Sequence, residues 1–199
     1  MTIDIKRFEE DIKLLEKKDK KNCMLFYGSS TFTKWDITDI KRSFPLETIV
    51  NNGFGGSVAE EALYYSDRLV FPFRPKILCY YEGDNDAYCG YTPSKAFSFT
   101  KSLLDKITDI KIYVFSVKFS LSRIEKIDYY KEYNQLSWEY CLKRPNAYYI
   151  DFNKNLLKGS KIQNKYFMDD MLHLNSDGYA VVAKELKKVI KMENNIKKA

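Results

Sequence analysis

Apolar residues follow two rhythms along the chain. Ile5, Phe8, Ile12 and Leu15 step by three, four and three, which describes one face of an amphipathic helix; the polar run Lys17–Asn22 closes it. Cys23–Tyr27 is a continuous apolar segment ending at Gly28, the pattern of a strand buried on both faces. Ile49–Asn51 predicts a second, short strand. Val58, Ala62, Tyr65 and Leu69 return to helical spacing, which Pro72 and Pro75 stop. Ile77–Tyr81 predicts the third strand, and Pro93 opens a helix whose apolar face is Ala96, Phe99, Leu103 and Leu104. Ile112–Val117 predicts a fourth strand. A long helical stretch covers about 123–143, Ala147–Ile150 predicts a fifth strand, and a last helix runs from Asn175 or Ser176 to about Lys191.

Strands alternating with helices predict an α/β fold: a five-stranded parallel sheet with helices on both faces. At 199 residues the chain reads as a single domain, 1–199, with an N-terminal helix within 1–22. In such sheets ligands bind beyond the carboxyl ends of the strands. The segments to search for chemistry are therefore Gly28–Thr31, Asn52–Ser57 and Glu82–Asp86, together with Asp169–Leu174 just ahead of the last helix.

Composition narrows the class. With 45% apolar and 30% charged residues the chain is neither disordered nor fibrous. Its 16 Tyr, 13 Phe and 2 Trp can bury a large core. No apolar run approaches the roughly 20 residues of a membrane helix. Met1–Asn22 mixes acids and bases and has no apolar core of a secretory signal. Cys23, Cys79, Cys89 and Cys141 form no CxxC pair, so the expected compartment is a reducing cytoplasm. The net charge is +6, but residues 184–199 hold six Lys and two Glu, so +4 sits in a solvated, basic C-terminal helix end. That distribution is no basic stripe across a folded face, and no nucleic-acid partner is expected.

His173 is the chain's one histidine. An imidazole can take a proton and return it near neutrality, as acyl transfer requires. Asp170, three residues earlier, can hold Nδ1 through a local turn and stabilise the imidazolium. Ser30 follows a small-residue turn after the first strand, where a helix start would aim its backbone N–H at a developing oxyanion. On these residues alone, Ser29, Ser30 and Thr31 serve equally well as helix caps. The glycines of Gly53-Phe54-Gly55-Gly56 let backbone approach a substrate closely. Asn85 offers a side-chain amide, or is a turn residue within Asp84-Asn85-Asp86.

Four segments, Phe26–Ser30, Asn52–Ser57, Gly83–Asp86 and Asp170–His173, resemble the signature blocks of the SGNH hydrolases, or GDSL-type esterases and lipases, in order and spacing. The resemblance spans roughly residues 23–185. It implies Ser30 as nucleophile, Gly56 and Asn85 joining the Ser30 N–H in the oxyanion hole, and Asp170 and His173 completing the triad. It also implies a three-layer α/β/α flavodoxin-like fold with strand order 2-1-3-4-5. The family's usual Gly-Asp-Ser reads Gly28-Ser29-Ser30 here, a change beside the nucleophile. Phe119–Arg123 with Asn134 resembles a stretch found in one branch of the family.

Rival constellations are weaker. A zinc site needs clustered Cys and His, and no phosphate loop is present. The acid pairs Asp84/Asp86 and Asp169/Asp170 suit turns better than a glycosidase pair. The aromatic run Tyr129, Tyr130, Tyr133, Trp138 and Tyr140 has helical spacing and is expected in the core rather than in a pocket wall. The expected protein is a serine esterase acting on a small-molecule ester with a small or medium acyl group, with no metal or organic cofactor. Acyl transfer to a sugar or alcohol, a lysophospholipase-like activity and a non-catalytic binding module are the alternatives.

Overall fold

In the computed structural model, which describes residues 4–18 and 21–196, five strands form one sheet. They are β1 (Met24–Gly28), β2 (Ile49–Gly53), β3 (Ile77–Tyr81), β4 (Lys111–Phe115) and β5 (Ala147–Ile150). Every pairing is parallel and the order is β2-β1-β3-β4-β5. Met24 pairs with both Ile49 and Ile77, so β1, β2 and β3 end level at Gly28, Gly53 and Tyr81. Three of the loops singled out from the sequence thereby emerge side by side.

The helices are α1 (Glu9–Leu15), α2 (Ser30–Thr33), α3 (Ile37–Ser43), α4 (Ala59–Leu69), α5 (Pro93–Asp105), α6 (Ile127–Leu142), α7 (Asn153–Leu156) and α8 (Ser176–Ile196). Successive strand residues point to opposite faces, and β1 shows why its sequence is continuously apolar. Leu25 and Tyr27 join a core with Ile12, Ala62, Tyr65, Leu103, Leu104 and Tyr130 from α1, α4, α5 and α6. Met24 and Phe26 join a second core with Phe32, Ile40, Leu156, Val182 and Leu186 from α2, α3, α7 and α8. Helices cover both faces, giving a three-layer α/β/α fold.

Some boundaries differ from the expected ones. The helix opening at Ser30 lasts only four residues, too short to supply the positive helix end anticipated there; Asp36 then caps α3 by accepting the Thr38 N–H at 2.6 Å. The stretch expected to be helical from Arg123 begins as a 3-10 turn, Leu121–Lys126, broken at Arg123 (φ −131°, ψ 33°). The last helix continues past Lys191 to Ile196. A small antiparallel pair, β6 (Leu157–Lys158) and β7 (Lys161–Ile162), has no counterpart among the expected elements, because two-residue strands leave no periodicity. Parts of the expected N-terminal segment (1–3, 19 and 20) and of the basic C-terminal end (197–199) lie outside the described residues.

The segment ahead of β1 is fastened to α4. Arg68 pairs with Glu9 at 2.8 Å and with Glu16 at 2.7 Å, and the Phe8 ring meets Phe54 edge-on at 5.3 Å. The four cysteines are free thiols, three of them buried. Among the described residues no helix is long and apolar enough to cross a membrane.

Candidate active site

Gly28 makes the turn that the site depends on. Its φ is +140°, and a Cβ there would lie 1.9 Å from the Tyr81 carbonyl oxygen. Only glycine lets β1 end this close to β3, where the Ser29 N–H bonds Tyr81 O at 3.0 Å. Ser29 then turns into the core, fully buried, while Ser30 opens α2 with its side chain toward the surface.

Ser30 Oγ lies 3.1 Å from His173 Nε2, and His173 Nδ1 lies 2.6 Å from Asp170 Oδ2. The loop holding the last two is a tight turn. Asp170 Oδ1 accepts the Leu172 and His173 backbone N–H groups, both at 2.9 Å, and Met171, directly after Asp170, takes a left-handed φ of 52°. Partial burial pushes the Asp170 carboxyl up, but the His173 ring and these two N–H groups outweigh it and hold it at about 2. An ionised carboxylate can only accept. The proton therefore sits on Nδ1, leaving Nε2 to accept from the Ser30 hydroxyl.

Two loops face this pair. Phe54 N–H bonds Gly28 O at 2.8 Å, pinning the Gly53–Gly56 loop to the end of β1, and Gly56 has a φ of +90°. Among the described residues, the Gly56 N–H has no acceptor, and the Ser30 N–H lies in the first turn of α2, where no intrahelical partner exists. Asn85, after β3, places its Nδ2 2.8 Å from Ser29 Oγ and 2.9 Å from Ser57 O. Both amide hydrogens are engaged, one at the Ser29 hydroxyl and one at the Ser57 carbonyl, in the two loops that carry Ser30 and Gly56. The five residues singled out from the sequence, Ser30, Gly56, Asn85, Asp170 and His173, are thus gathered at the carboxyl edge of the sheet.

Behind Asn85 lies a buried charge cluster. Lys118 Nζ and Arg123 Nη1 each approach a different oxygen of Asp84 at 2.5 Å, and Tyr81 and Tyr130 hydroxyls donate to the same carboxylate at 3.1 Å. Burial raises the Asp84 carboxyl, but Lys118 and Arg123 overcome it and hold it at about 2. Neighbouring acids behave oppositely. Glu82, which accepts from Ser57 Oγ at 2.6 Å, is pushed well above the carboxylate range by burial and then by Asp86. Burial pushes Asp86 up to about 7 against the backbone N–H groups of Ala59, Asp86 and Gly83. Asp84 and Asp86 are therefore a paired and an unpaired acid rather than two turn residues of one kind.

Sequence reading alone passes over Lys118, Glu61 and Arg7. Lys118 stands between Val117 and Phe119, three residues past the end of β4, and a lysine in that apolar run signals that its charge needs a buried partner. Glu61 accepts the Val58 N–H at 3.0 Å and pairs with Arg7 at 2.6 Å, but its helical spacing on α4 resembles any exposed acid. Of the aromatic run, Tyr130, Tyr133 and Tyr140 are core residues. Trp138 is 43% exposed and lines a cavity of about 790 Å³ with Asn134, Tyr149 and Asp151, away from Ser30 and His173. Among the described residues, no group of three or more His, Cys, Asp or Glu is arranged to hold a metal ion.

These loops meet at the carboxyl edge of the α/β/α sheet, where folds of this build bind their ligands. Residues 27–181 match the GDSL-like lipase/acylhydrolase family; the chain belongs to it and is a hydrolase acting on ester bonds. No curated protein matches the chain. Solved structures do. A protein from Streptococcus pneumonia, provisionally assigned as a platelet activating factor, is 19% identical with a TM-score of 0.79, over 92% of each chain. The lipase/acylhydrolase from Enterococcus faecalis is 18% identical with a TM-score of 0.74, covering 88% of this chain and 96% of its own. A family 3 carbohydrate esterase from Clostridium thermocellum is 13% identical with a TM-score of 0.70, covering 88% and 99%. At such identities the likeness speaks for the fold.

Proposed function

We propose that the chain is a serine esterase that cleaves a carboxylic ester of a small or medium acyl group through an acyl-enzyme. The observation that carries this reading is the hydrogen-bonded line from Ser30 Oγ through His173 to Asp170, at 3.1 and 2.6 Å. Ser30 Oγ attacks the acyl carbon as its proton passes to His173 Nε2. Asp170, ionised and fixed by three hydrogen bonds, holds the ring and stabilises the imidazolium. The oxyanion forms against the Ser30 and Gly56 N–H groups and the Asn85 amide, one of whose hydrogens leaves its resting acceptor. His173 returns the proton to the departing alkoxide. Water, deprotonated by His173, then attacks the acyl-enzyme, and the proton goes back to Ser30 as the acid leaves.

Labelling with a fluorophosphonate, followed by a panel of aryl esters of increasing acyl length, tests this. The expected result is one labelled site at Ser30, turnover that declines with long acyl chains, and loss of both in Ser30→Ala. A folded wild type that neither reacts nor turns over esters would favour a binding module on the same fold. Acyl release that speeds up with an added sugar or alcohol would favour acyl transfer.

A further inference from the structure

Asn85 is held from behind as well as from the front. Arg123 Nη2 donates to Asn85 Oδ1 at 3.1 Å, while Nη1 of the same guanidinium donates to the Asp84 carbonyl at 3.0 Å and to its carboxylate. The guanidinium is mostly buried and lies 4.7 Å over the Tyr88 ring. Its segment is tied to the histidine loop, since the Ser122 N–H bonds Met171 O at 3.2 Å. Arg123 thus sits between the two halves of the site, touching neither Ser30 nor His173.

We propose that Arg123 is a positioning residue of the oxyanion hole, fixing which end of the Asn85 amide faces the nucleophile and charging it from behind. The proposal rests on the esterase reading above. An asparagine amide has a donor end and an acceptor end of nearly equal size, so only its partners decide its orientation. Ser57 O and Ser29 Oγ call for the nitrogen on the nucleophile's side, and Arg123 makes the reverse orientation untenable by setting a cation against the other end. A cation on Oδ1 also draws electron density from the amide and strengthens Nδ2–H as a donor.

The charge cluster behind Asn85 supports this. Two buried cations, Lys118 and Arg123, share one carboxylate, Asp84. Arg123 brings its guanidinium from that pair into contact with Asn85. A cation fixed in advance in a water-poor site favours an anion that forms only in the transition state. The irregular backbone at Arg123 and the bidentate use of its guanidinium fit a residue placed for aim.

The test compares Arg123→Met, Arg123→Lys, Asn85→Ala and the double variant Arg123→Met/Asn85→Ala on an aryl acetate. It also measures affinity for an alkyl trifluoromethyl ketone, which forms a tetrahedral adduct with an oxyanion. Lys118 remains on Asp84 in every variant, so no buried carboxylate is orphaned, and circular dichroism with Tm checks folding. Arg123→Met should lower kcat about 10- to 100-fold with KM within about threefold, and weaken the ketone in proportion to kcat/KM. Arg123→Lys should recover little, because one ammonium cannot span Asp84 and Asn85 together. The double variant should be no worse than Asn85→Ala alone. If Asn85→Ala is severely impaired but Arg123→Met and Arg123→Lys keep wild-type kcat and ketone affinity, or if the losses multiply in the double variant, Arg123 does not act through Asn85. If Ser30→Ala is inactive but Asn85→Ala is as active as wild type, the oxyanion assignment of Asn85 fails and takes this proposal with it.

Discussion

Arg7 donates from Nη2 to the carbonyl of Gly56 at 2.9 Å, while the same guanidinium pairs with the fully buried carboxylate of Glu61. Residues ahead of the family-matched segment 27–181 therefore bear directly on a loop of the proposed oxyanion hole. Glu61 raises the Arg7 guanidinium above its usual value through this hydrogen bond, against the cost of burial, so the clamp stays charged. Phe8 lies 3.8 Å from where a Gly56 Cβ would be, closing the same loop from outside.

Arg7→Ala should loosen that loop. We expect roughly tenfold lower kcat with a smaller change in KM, because a displaced donor costs most once the oxyanion forms. Stability should fall as well, by about 2–3 kcal/mol, because the fully buried Glu61 carboxylate is left with only the Val58 N–H once its cation is gone. Steady-state kinetics and thermal melts decide the matter. A lower Tm with unchanged kcat would make the clamp purely structural.

Asp170→Asn should be nearly as damaging as loss of the nucleophile, by roughly 10³–10⁴ in kcat. An amide at that position can present its N–H to Nδ1, which shifts the ring proton to Nε2 and takes away the acceptor for the Ser30 hydroxyl. The backbone N–H groups of Leu172 and His173 bind one oxygen and keep the turn, so the fold should survive. Because the carboxyl is held at about 2, wild-type activity should show no loss from Asp170 protonation down to about pH 4. Ester turnover by Asp170→Asn within tenfold of wild type would show that His173 does not need the carboxylate.

Most of the fold was legible because parallel strands buried on both faces announce themselves as short apolar runs. Cys23–Tyr27, Ile77–Tyr81 and Ala147–Ile150 fall within a residue of β1, β3 and β5. The stretch around Arg123 departs from the expected helix for a physical reason. Its residues have helical spacing, but tertiary bonds from Arg123 to Asp84 and Asn85 and from Ser122 to Met171 hold it as a 3-10 turn instead. The loops that carry Ser30, Gly56, Asn85, Asp170 and His173 are marked by following a strand end or preceding the last helix, and the individual residues by the resemblance of four blocks to the SGNH hydrolases. What supports them was hidden. Arg7, Glu61, Lys118 and Asp84 act through pairings separated by 34 to 54 residues, and no local pattern reports which charges meet in the core.

The buried acid Asp86 gives a prediction about pH and stability. Its Oδ1 accepts the Ala59 N–H at 3.1 Å, its Oδ2 has no hydrogen-bond partner among the described residues, and no cation is paired with it. Burial holds its carboxyl at about 7, against a usual value of 3.8. Between those values the folded chain keeps a proton that the unfolded chain has released. The stability this group contributes is therefore full below about pH 4 and is lost as pH rises toward 7, with a slope of at most about 1.4 kcal/mol per pH unit. Glu82, also pushed up by burial, works in the same direction. Asp84 and Asp170, both held at about 2, lose their contributions only below about pH 4, so they leave the window from 5 to 7.5 clear. Wild-type Tm should fall across that window. Asp86→Asn keeps an oxygen for the Ala59 N–H and cannot ionise, so its Tm should fall less, and at pH 8 the variant should melt above wild type. Parallel Tm–pH curves for the two proteins would mean that Asp86 is ionised in the folded state throughout, with its charge met by the three backbone N–H groups alone.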